Sequence, residues 1–338
     1  MSYWWLLPIV IGASLILTWG LRQYALAGSL MDVPNERSSH VIPTPRGGGG
    51  AIVLSFLAVL PFLASQNILS WESIAALLGS GGLVALIGFL DDHGHIAARW
   101  RLLGHFVGAV WALVWLGGLP ALDIMGHSIR LGWLGHVLAA FYLVWMLNLY
   151  NFMDGIDGIA AVEAVSVCLG GAILFMIVGS ITLAIVPLVL AAAVGGFLVW
   201  NFPPAKIFMG DAGSGFLGIT LGVLSLQAAS VAPEFFWSWV ILLGVFIVDA
   251  TWTLIRRLLR GEKVYEAHRS HAYQWASRMC GRHLPVTLGV AAINLLWLGP
   301  LAVCVGTGYL SGVVGVVIAY APLLLLARTF RAGVSEKG

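Results

Sequence analysis

FYLVWMLNLYNFMDGIDG, residues 141–158, begins as a run of ten largely apolar residues and ends on two aspartates, each followed by glycine. The run is too apolar for a solvated surface, and its end is too acidic for a plain core. A membrane span that stops at an acidic turn accommodates both halves. The same junction recurs on either side. Asp91-Asp92 end an apolar run in GFLDDHGHIAARWRL (88–102), and Asp211 opens another in KIFMGDAGSG (206–215). A carboxylate beside hydrocarbon is costly unless it is compensated, so Asp91, Asp92, Asp154, Asp157 and Asp211 are functional candidates. Their grouping fits a divalent metal holding phosphates.

The whole chain agrees with this local reading. Its 338 residues are 60% hydrophobic and 9% charged, with mean hydropathy +0.95. These values indicate an all-α polytopic membrane protein, one integral membrane domain over 1–338, rather than a set of soluble domains. A net charge of +2 gives no case for a nucleic-acid partner. Trp4 and Trp5, with no preceding basic residue, read as the interface belt of a first span rather than as part of a signal peptide. Cys168, Cys280 and Cys304 form no CxxC pair, so neither a disulfide framework nor a zinc site is expected; Cys168 and Cys304 read as buried packing.

Breaks at polar or Pro/Gly clusters divide the chain into about eleven spans: 4–21, 50–66, 74–90, 102–119, 134–150, 159–178, 182–200, 212–230, 237–254, 286–305 and 311–327. With that division, sixteen of the seventeen Lys and Arg residues fall on one side and only Arg130 on the other. The positive-inside rule then sets the N-terminus outside, the C-terminus inside, and all five acids on the cytoplasmic side. Apolar alternation around Met125-Gly126-His127 predicts a small external β-hairpin over 122–133.

Each cytoplasmic loop carries candidate chemistry beside a plainer reading. MDVPNERSSHVIPTPRGGGG (31–50) sets Arg46 next to glycines that admit a phosphate or a sugar, or it is a linker. In the acidic pair the two side chains diverge, so one orients a cation while the other acts as base or electrostatic partner. Arg99 and Arg101 lie within reach of a lipid phosphate, or the segment is merely a charged stop. Asn151, Asp154 and Asp157 place three acceptors around a turn whose backbone Gly155 leaves open. In NFPPAKIFMGDAGSGFLG (201–218), Asp211 stands at a helix start whose free N–H groups face anionic oxygens. Phe208 there is a base-stacking candidate or an interface anchor. The loop 256–283 holds seven basic residues with His268, His271 and His283, a composition suited to a diphosphate. His268 and His271 have metal-ligand spacing, but a hard cation prefers oxygen. Asp249 is expected to pair with a loop arginine, and Glu163 similarly.

With these motifs assembled, the chain resembles the polyprenyl-phosphate N-acetylhexosamine-1-phosphate transferase family. The likeness runs from PNERSSH and PRGGG through the Asp-Asp pair, NFMDGIDG and FMGDAGSG to HRSH (268–271). It implies transfer of HexNAc-1-phosphate from a UDP-N-acetylhexosamine to undecaprenyl phosphate at the cytoplasmic face of a bacterial inner membrane, with release of UMP. It further implies Asp211 as the Mg²⁺ ligand, Mn²⁺ being the alternative ion, and Asp91 as base toward the lipid phosphate with Asp92 beside it. Asn151, Asp154, Gly155 and Asp157 would line the nucleotide-sugar cleft. Asn201 would lie near the diphosphate, Phe208 near uracil, and Arg101 near phosphate. His268, Arg269 and His271 would read the sugar. A homodimer is a candidate assembly. One departure stands out: His271 is followed by Ala272-Tyr273-Gln274, where many relatives cluster histidines. The wording of PNERSSH and HAYQ is nearest the branch that starts O-antigen or exopolysaccharide units. An ion-coupled secondary transporter is the alternative from another class; it would favour acids at the bilayer midplane in repeated halves, and neither pattern is visible here.

Overall fold

In lipid every backbone polar group needs an internal partner, and long apolar runs meet this demand by coiling into helices. A computed structural model of the chain describes residues 3–34, 39–40, 42–94, 96–262 and 268–334. The first half comprises α1 (Leu6–Ala27), β1 (Met31–Asp32), β2 (Thr44–Pro45), α2 (Gly49–Leu57), α3 (Leu60–Ser65), α4 (Trp71–His93), α5 (Ala98–Leu116), β3 (Leu122–Ile124), β4 (His127–Ile129) and α6 (Gly132–Met153). There follow α7 (Ile159–Ile177), α8 (Ile181–Asn201), α9 (Asp211–Val231), α10 (Pro233–Leu242), α11 (Gly244–Leu259), α12 (Ala272–Cys280), α13 (Leu284–Ile293), a π-helical turn (Asn294–Leu298), α14 (Gly299–Gly306) and α15 (Gly312–Thr329).

The protein is an all-α polytopic membrane protein. A helix lies under each of the eleven apolar runs, but among the described residues eight helices are long and apolar enough to cross a bilayer, or nine if one bent pair counts as a span. That pair is Glu234–Leu242 and Gly244–Leu259, bent by 72°. The runs at 50–66 and 102–119 fall short for different reasons. The first, Gly49–Ser65, is too short, and the second, α5, carries Arg99, Arg101 and His105 in its opening turns. Arg37, Lys263 and Lys337, three of the basic residues used for orientation, lie outside the described residues, as do residues 35–38 of PNERSSH.

The expected hairpin forms as β3 and β4, with Leu122 opposite Ile129. Met125 and Gly126 both have positive φ at its turn, the geometry of a two-residue hairpin. A second pairing, β1 with β2, joins Met31 to Pro45 and Asp32 to Thr44. These four residues were too few to register as strands in the sequence.

The core centres on α9, where every residue from Ala212 to Leu226 is buried. Helices α2, α4 and α6 pack around it. The α4–α9 approach has one critical point. A Cβ on Gly88 would lie 2.5 Å from the backbone carbon of Asp211 and the nitrogen of Ala212, so only glycine lets these backbones touch. The contact sets Asp91 and Asp92, one turn later on α4, against the first turn of α9. One buried polar group finds a partner other than the one expected, and one cysteine lies elsewhere than expected. Glu163 accepts from Asn294 Nδ2 at 2.6 Å rather than from a loop arginine. Cys168 is buried, but Cys304 lies on an exposed face.

Candidate functional site

The three acidic turns meet at one end of the bundle, around a cavity of about 380 Å³. Its wall includes Arg46, Asp92, Asn151, Asp154, Gly155, Asp157, Asn201, Phe208 and Asp211, all expected from sequence. Asp32, Ser39, His40, Ser214, Gln274 and His283 complete the described polar lining. The size is in the range of small-molecule sites.

Asp211 is the hub. Its Oδ1 accepts from Asn151 Nδ2 at 2.9 Å, and the same amide group reaches Ser214 Oγ at 3.0 Å. Oδ2 lies 3.3 Å from Arg101 Nη1, which also pairs with Asp91 Oδ2. The other Asp91 oxygen takes the Ile96 N–H at 2.7 Å. Asp91 therefore faces Arg101 and its own loop, and is not part of the cavity lining. Asp92 points the other way: its carboxylate accepts the N–H groups of Asp211 and Ala212, each at 3.3 Å. The α9 N-terminus expected to meet substrate oxygens is thus capped by Asp92 from within the protein.

A second cavity of about 180 Å³ lies on the far side of the same residues. It is lined by Val84, Ile87, Leu102 and Leu147 with Arg101, His105 and Phe152, and it shares Asn151 and Asp211 with the first. Each cavity holds a buried nitrogen with no hydrogen-bond partner among the described residues, Arg46 Nε in the first and His105 Nδ1 in the second. Buried polar atoms left without partners are exceptional, and both belong to residues that line a cavity.

Asp154 and Asp157 separate into two roles. Burial, reinforced by the charges of Asp211, Asp92 and Asp157, pushes the Asp154 carboxyl up to about 7. Asp157 is held below the usual carboxylate range. Burial works against its charge, but the His283 hydrogen bond, the Ala205 N–H and the charges of His283 and His40 outweigh it. Asp157 Oδ1 lies 3.1 Å from His283 Nδ1, and Oδ2 accepts from Ala205 N at 3.0 Å. Burial lowers the affinity of His283 for its proton, yet the Asp157 contact and the Ser39 carbonyl leave it raised overall. The His283 Nε2–Ser39 O contact of 3.0 Å ties this pair to the first loop. Asn201 clamps the same turn, accepting from Gly158 N at 3.0 Å and donating to the Ile207 carbonyl at 2.9 Å. Backbone bonds from Phe208 N to Pro45 O and from Gly48 N to Phe208 O seat the first loop beside Phe208. The His40 ring meets Phe208 edge-on at 4.8 Å.

The HRSH segment differs from expectation. His268, Arg269 and His271 do not line the cavity. His271 is buried, with Nδ1 3.3 Å from Asp249 Oδ1 and its ring stacked between those of His268 and Tyr273. Burial, then the neighbouring His271 and Arg257, lower His268 to about 3, so it is neutral at physiological pH. Among the described residues Asp249 accepts the N–H groups of Ala272 and Tyr273 and caps α12, where a loop arginine was expected. Gln274, three residues past His271, reaches the cavity, as does His283.

Among the described residues no three His, Cys, Asp or Glu side chains form a closed metal cage. The donor set fits Mg²⁺ in another way. That ion usually takes one or two carboxylates and completes its shell with water and substrate phosphates. The neighbouring charges of Asp211, Asp92 and Asp157, which add to burial in raising Asp154, are an excess of negative charge of the kind a divalent cation neutralises.

The model of glycosyl transferase family 4 matches residues 74–229, from α4 to the end of α9. A probable undecaprenyl-phosphate N-acetylglucosaminyl 1-phosphate transferase of Bacillus subtilis is 31% identical over 265 residues, covering 77% of this chain and 73% of its own. A decaprenyl-phosphate N-acetylglucosaminephosphotransferase of Mycolicibacterium smegmatis is 28% identical, with coverage of 93% and 85%. A phospho-N-acetylmuramoyl-pentapeptide-transferase of Moorella thermoacetica is 30% identical, with coverage of 78% and 87%.

Proposed function

The chain belongs to glycosyl transferase family 4, the polyprenyl-phosphate N-acetylhexosamine-1-phosphate transferases, and on that footing we propose that it transfers HexNAc-1-phosphate from a UDP-N-acetylhexosamine to undecaprenyl phosphate. The acceptor phosphate oxygen bonds to the sugar-linked phosphorus, the phosphoanhydride bond to the nucleotide breaks, and UMP leaves with that electron pair. One phosphoanhydride replaces another, so catalysis consists of bringing two anions together and holding them in line.

The observation that carries this reading is the wall of Asn151 and Asp211 standing between a polar cavity and a more apolar groove. The polar cavity suits the nucleotide sugar, with Phe208 and His40 at one side and the Arg46 guanidinium in its wall for a phosphate. The groove suits the lipid phosphate, with Arg101 and His105 beside apolar side chains. Bound Mg²⁺, with Mn²⁺ as the alternative, would neutralise the diphosphate; Asp211 is the residue placed to hold it, with Asp154 nearby. Asp91 and Asp211 orient Arg101 toward the acceptor. Asp92 fixes the first turn of α9, and Asp157, His283 and Asn201 hold the Asp154 turn.

We place the site on the cytoplasmic side of a bacterial inner membrane, from the charge asymmetry of the loops, and assign the product to O-antigen or exopolysaccharide initiation from the motif wording. The test is UMP release by purified protein given undecaprenyl phosphate, Mg²⁺ and a panel of UDP-sugars. Turnover with an N-acetylhexosamine donor is expected. No turnover with any donor, alongside uptake of substrate into vesicles, would overturn the reading in favour of transport.

A further inference from the structure

From residues 268–282, Gln274 alone among the described residues lines the polar cavity. Its position is built rather than incidental. Asp249, buried on α11, accepts at Oδ1 from Ala272 N (2.9 Å) and at Oδ2 from Tyr273 N (3.0 Å). Thr253 donates to Oδ1 as well, at 3.1 Å. This fixes the first turn of α12, and the Tyr273 hydroxyl donates to the Phe152 carbonyl at 3.0 Å, pressing the turn against NFMDGIDG. Gln274 Oε1 accepts the His271 N–H at 3.2 Å. With the oxygen thus engaged, the amide nitrogen lies beside the Tyr273 hydroxyl, to which it gives one N–H, and it keeps a second. Nε2 lies 3.3 Å from where a Cβ on Gly155 would stand, and the Tyr273 hydroxyl occupies that same space at 2.1 Å. Glycine at 155 is what brings the amide to the cavity floor beside Asp154.

The chemistry of this corner differs from the rest of the cavity. Arg46, Asn151, Ser214 and Asp211 serve anionic oxygens or a cation. An uncharged amide offers N–H donors that no pH change removes, suited to a neutral oxygen. Resting on the reaction proposed above, we infer that Gln274 is a specificity-determining residue that donates from Nε2 to a sugar hydroxyl or acyl carbonyl of the nucleotide sugar. His268, Arg269 and His271 support the α12 turn and do not touch the sugar.

The test separates this assignment from the reaction itself. Gln274→Glu keeps the length and the oxygen that meets His271 but removes the donor; Gln274→Met keeps the shape and removes both. Calorimetric binding of UDP and of UDP-N-acetylglucosamine, UDP-N-acetylgalactosamine and UDP-glucose is measured for each protein. The wild type should bind its preferred UDP-sugar more tightly than UDP. In either folded variant that increment should fall about tenfold or more, the effect of leaving a buried polar partner unpaired, while UDP binding stays unchanged. In turnover, KM for the sugar donor should rise and KM for undecaprenyl phosphate should not. An undiminished sugar increment in the variants would overturn the role of Gln274, as would equal weakening of UDP and UDP-sugar, which marks a purely structural part. Failure of the wild type to release UMP would instead strike the proposed reaction and leave the binding comparison to judge Gln274.

Discussion

Asn151 donates to Asp211 at 2.9 Å while reaching Ser214 at 3.0 Å, so a single amide sets the orientation of the carboxylate that fronts both cavities. Asp211→Asn leaves an oxygen for that amide and removes only the charge. UMP release should fall by roughly 10²–10³, the scale seen when one electrostatic stabiliser is lost. The midpoint of thermal unfolding should barely move. Near-normal activity in this variant would remove Asp211 as the metal residue.

Arg101 bridges Asp91 and Asp211 and opens onto the groove. Arg101→Ala should raise KM for undecaprenyl phosphate about tenfold or more, as expected for a charge-assisted hydrogen bond. KM for the UDP-sugar should hold steady. Arg101→Lys should recover only part of the loss, because an ammonium lacks the planar fork. A rise in donor KM instead would place the guanidinium in the other cavity.

The Asp157–His283 pair gives stability a pH window. Asp157 is lowered, so its contribution is complete above the ordinary carboxylate pKa and is lost as pH falls through the depressed value. His283 is raised, so its contribution is complete below the ordinary imidazole pKa and is lost as pH rises through the raised value. His283→Gln should therefore lower the unfolding midpoint most between about pH 4 and 6.5, the two ordinary values. The difference from wild type should shrink in alkali. A gap that is constant across pH would show that the ion pair contributes nothing.

Gly155 and Tyr273 occupy each other's space, the hydroxyl lying 2.1 Å from a Cβ at 155. Gly155→Ala should reduce UMP release and stability together. Adding Tyr273→Phe should return part of both, giving a coupling of about 0.5–3 kcal/mol in a double-mutant cycle. Strict additivity would mean that the alanine is accommodated by moving something else.

The helices and the acidic convergence were legible in the chain because both depend on solvent. Apolar runs of span length have one stable conformation in lipid, and carboxylates at their ends stand out by their cost. Sequence was mute where polarity does not change with structure. The break at Leu243, between α10 and α11, lies in an uninterrupted apolar stretch without proline, so hydropathy reads one span. The loop 256–283 is polar throughout, and composition alone did not tell that His271 turns inward to Asp249 while Gln274 and His283 face the cavity. The acidic pair was read as a base beside a cation-orienting partner, and Asn201 as lying near the diphosphate; the structure directs the hydrogen bonds of Asp92 to α9 and those of Asn201 to the Asp154 turn. A motif marks which residues gather, and the bonds between them decide which still have a hand free.

The partition at Asn151 and Asp211 carries one last consequence for how the partners arrive. A nucleotide comes through water and an isoprenoid through oil, and each can stop at its own side of the same carboxylate. Since every methylene drawn out of hydrocarbon costs about 0.8 kcal/mol, a long tail left in the bilayer spares the protein an expense that no phosphate contact would repay.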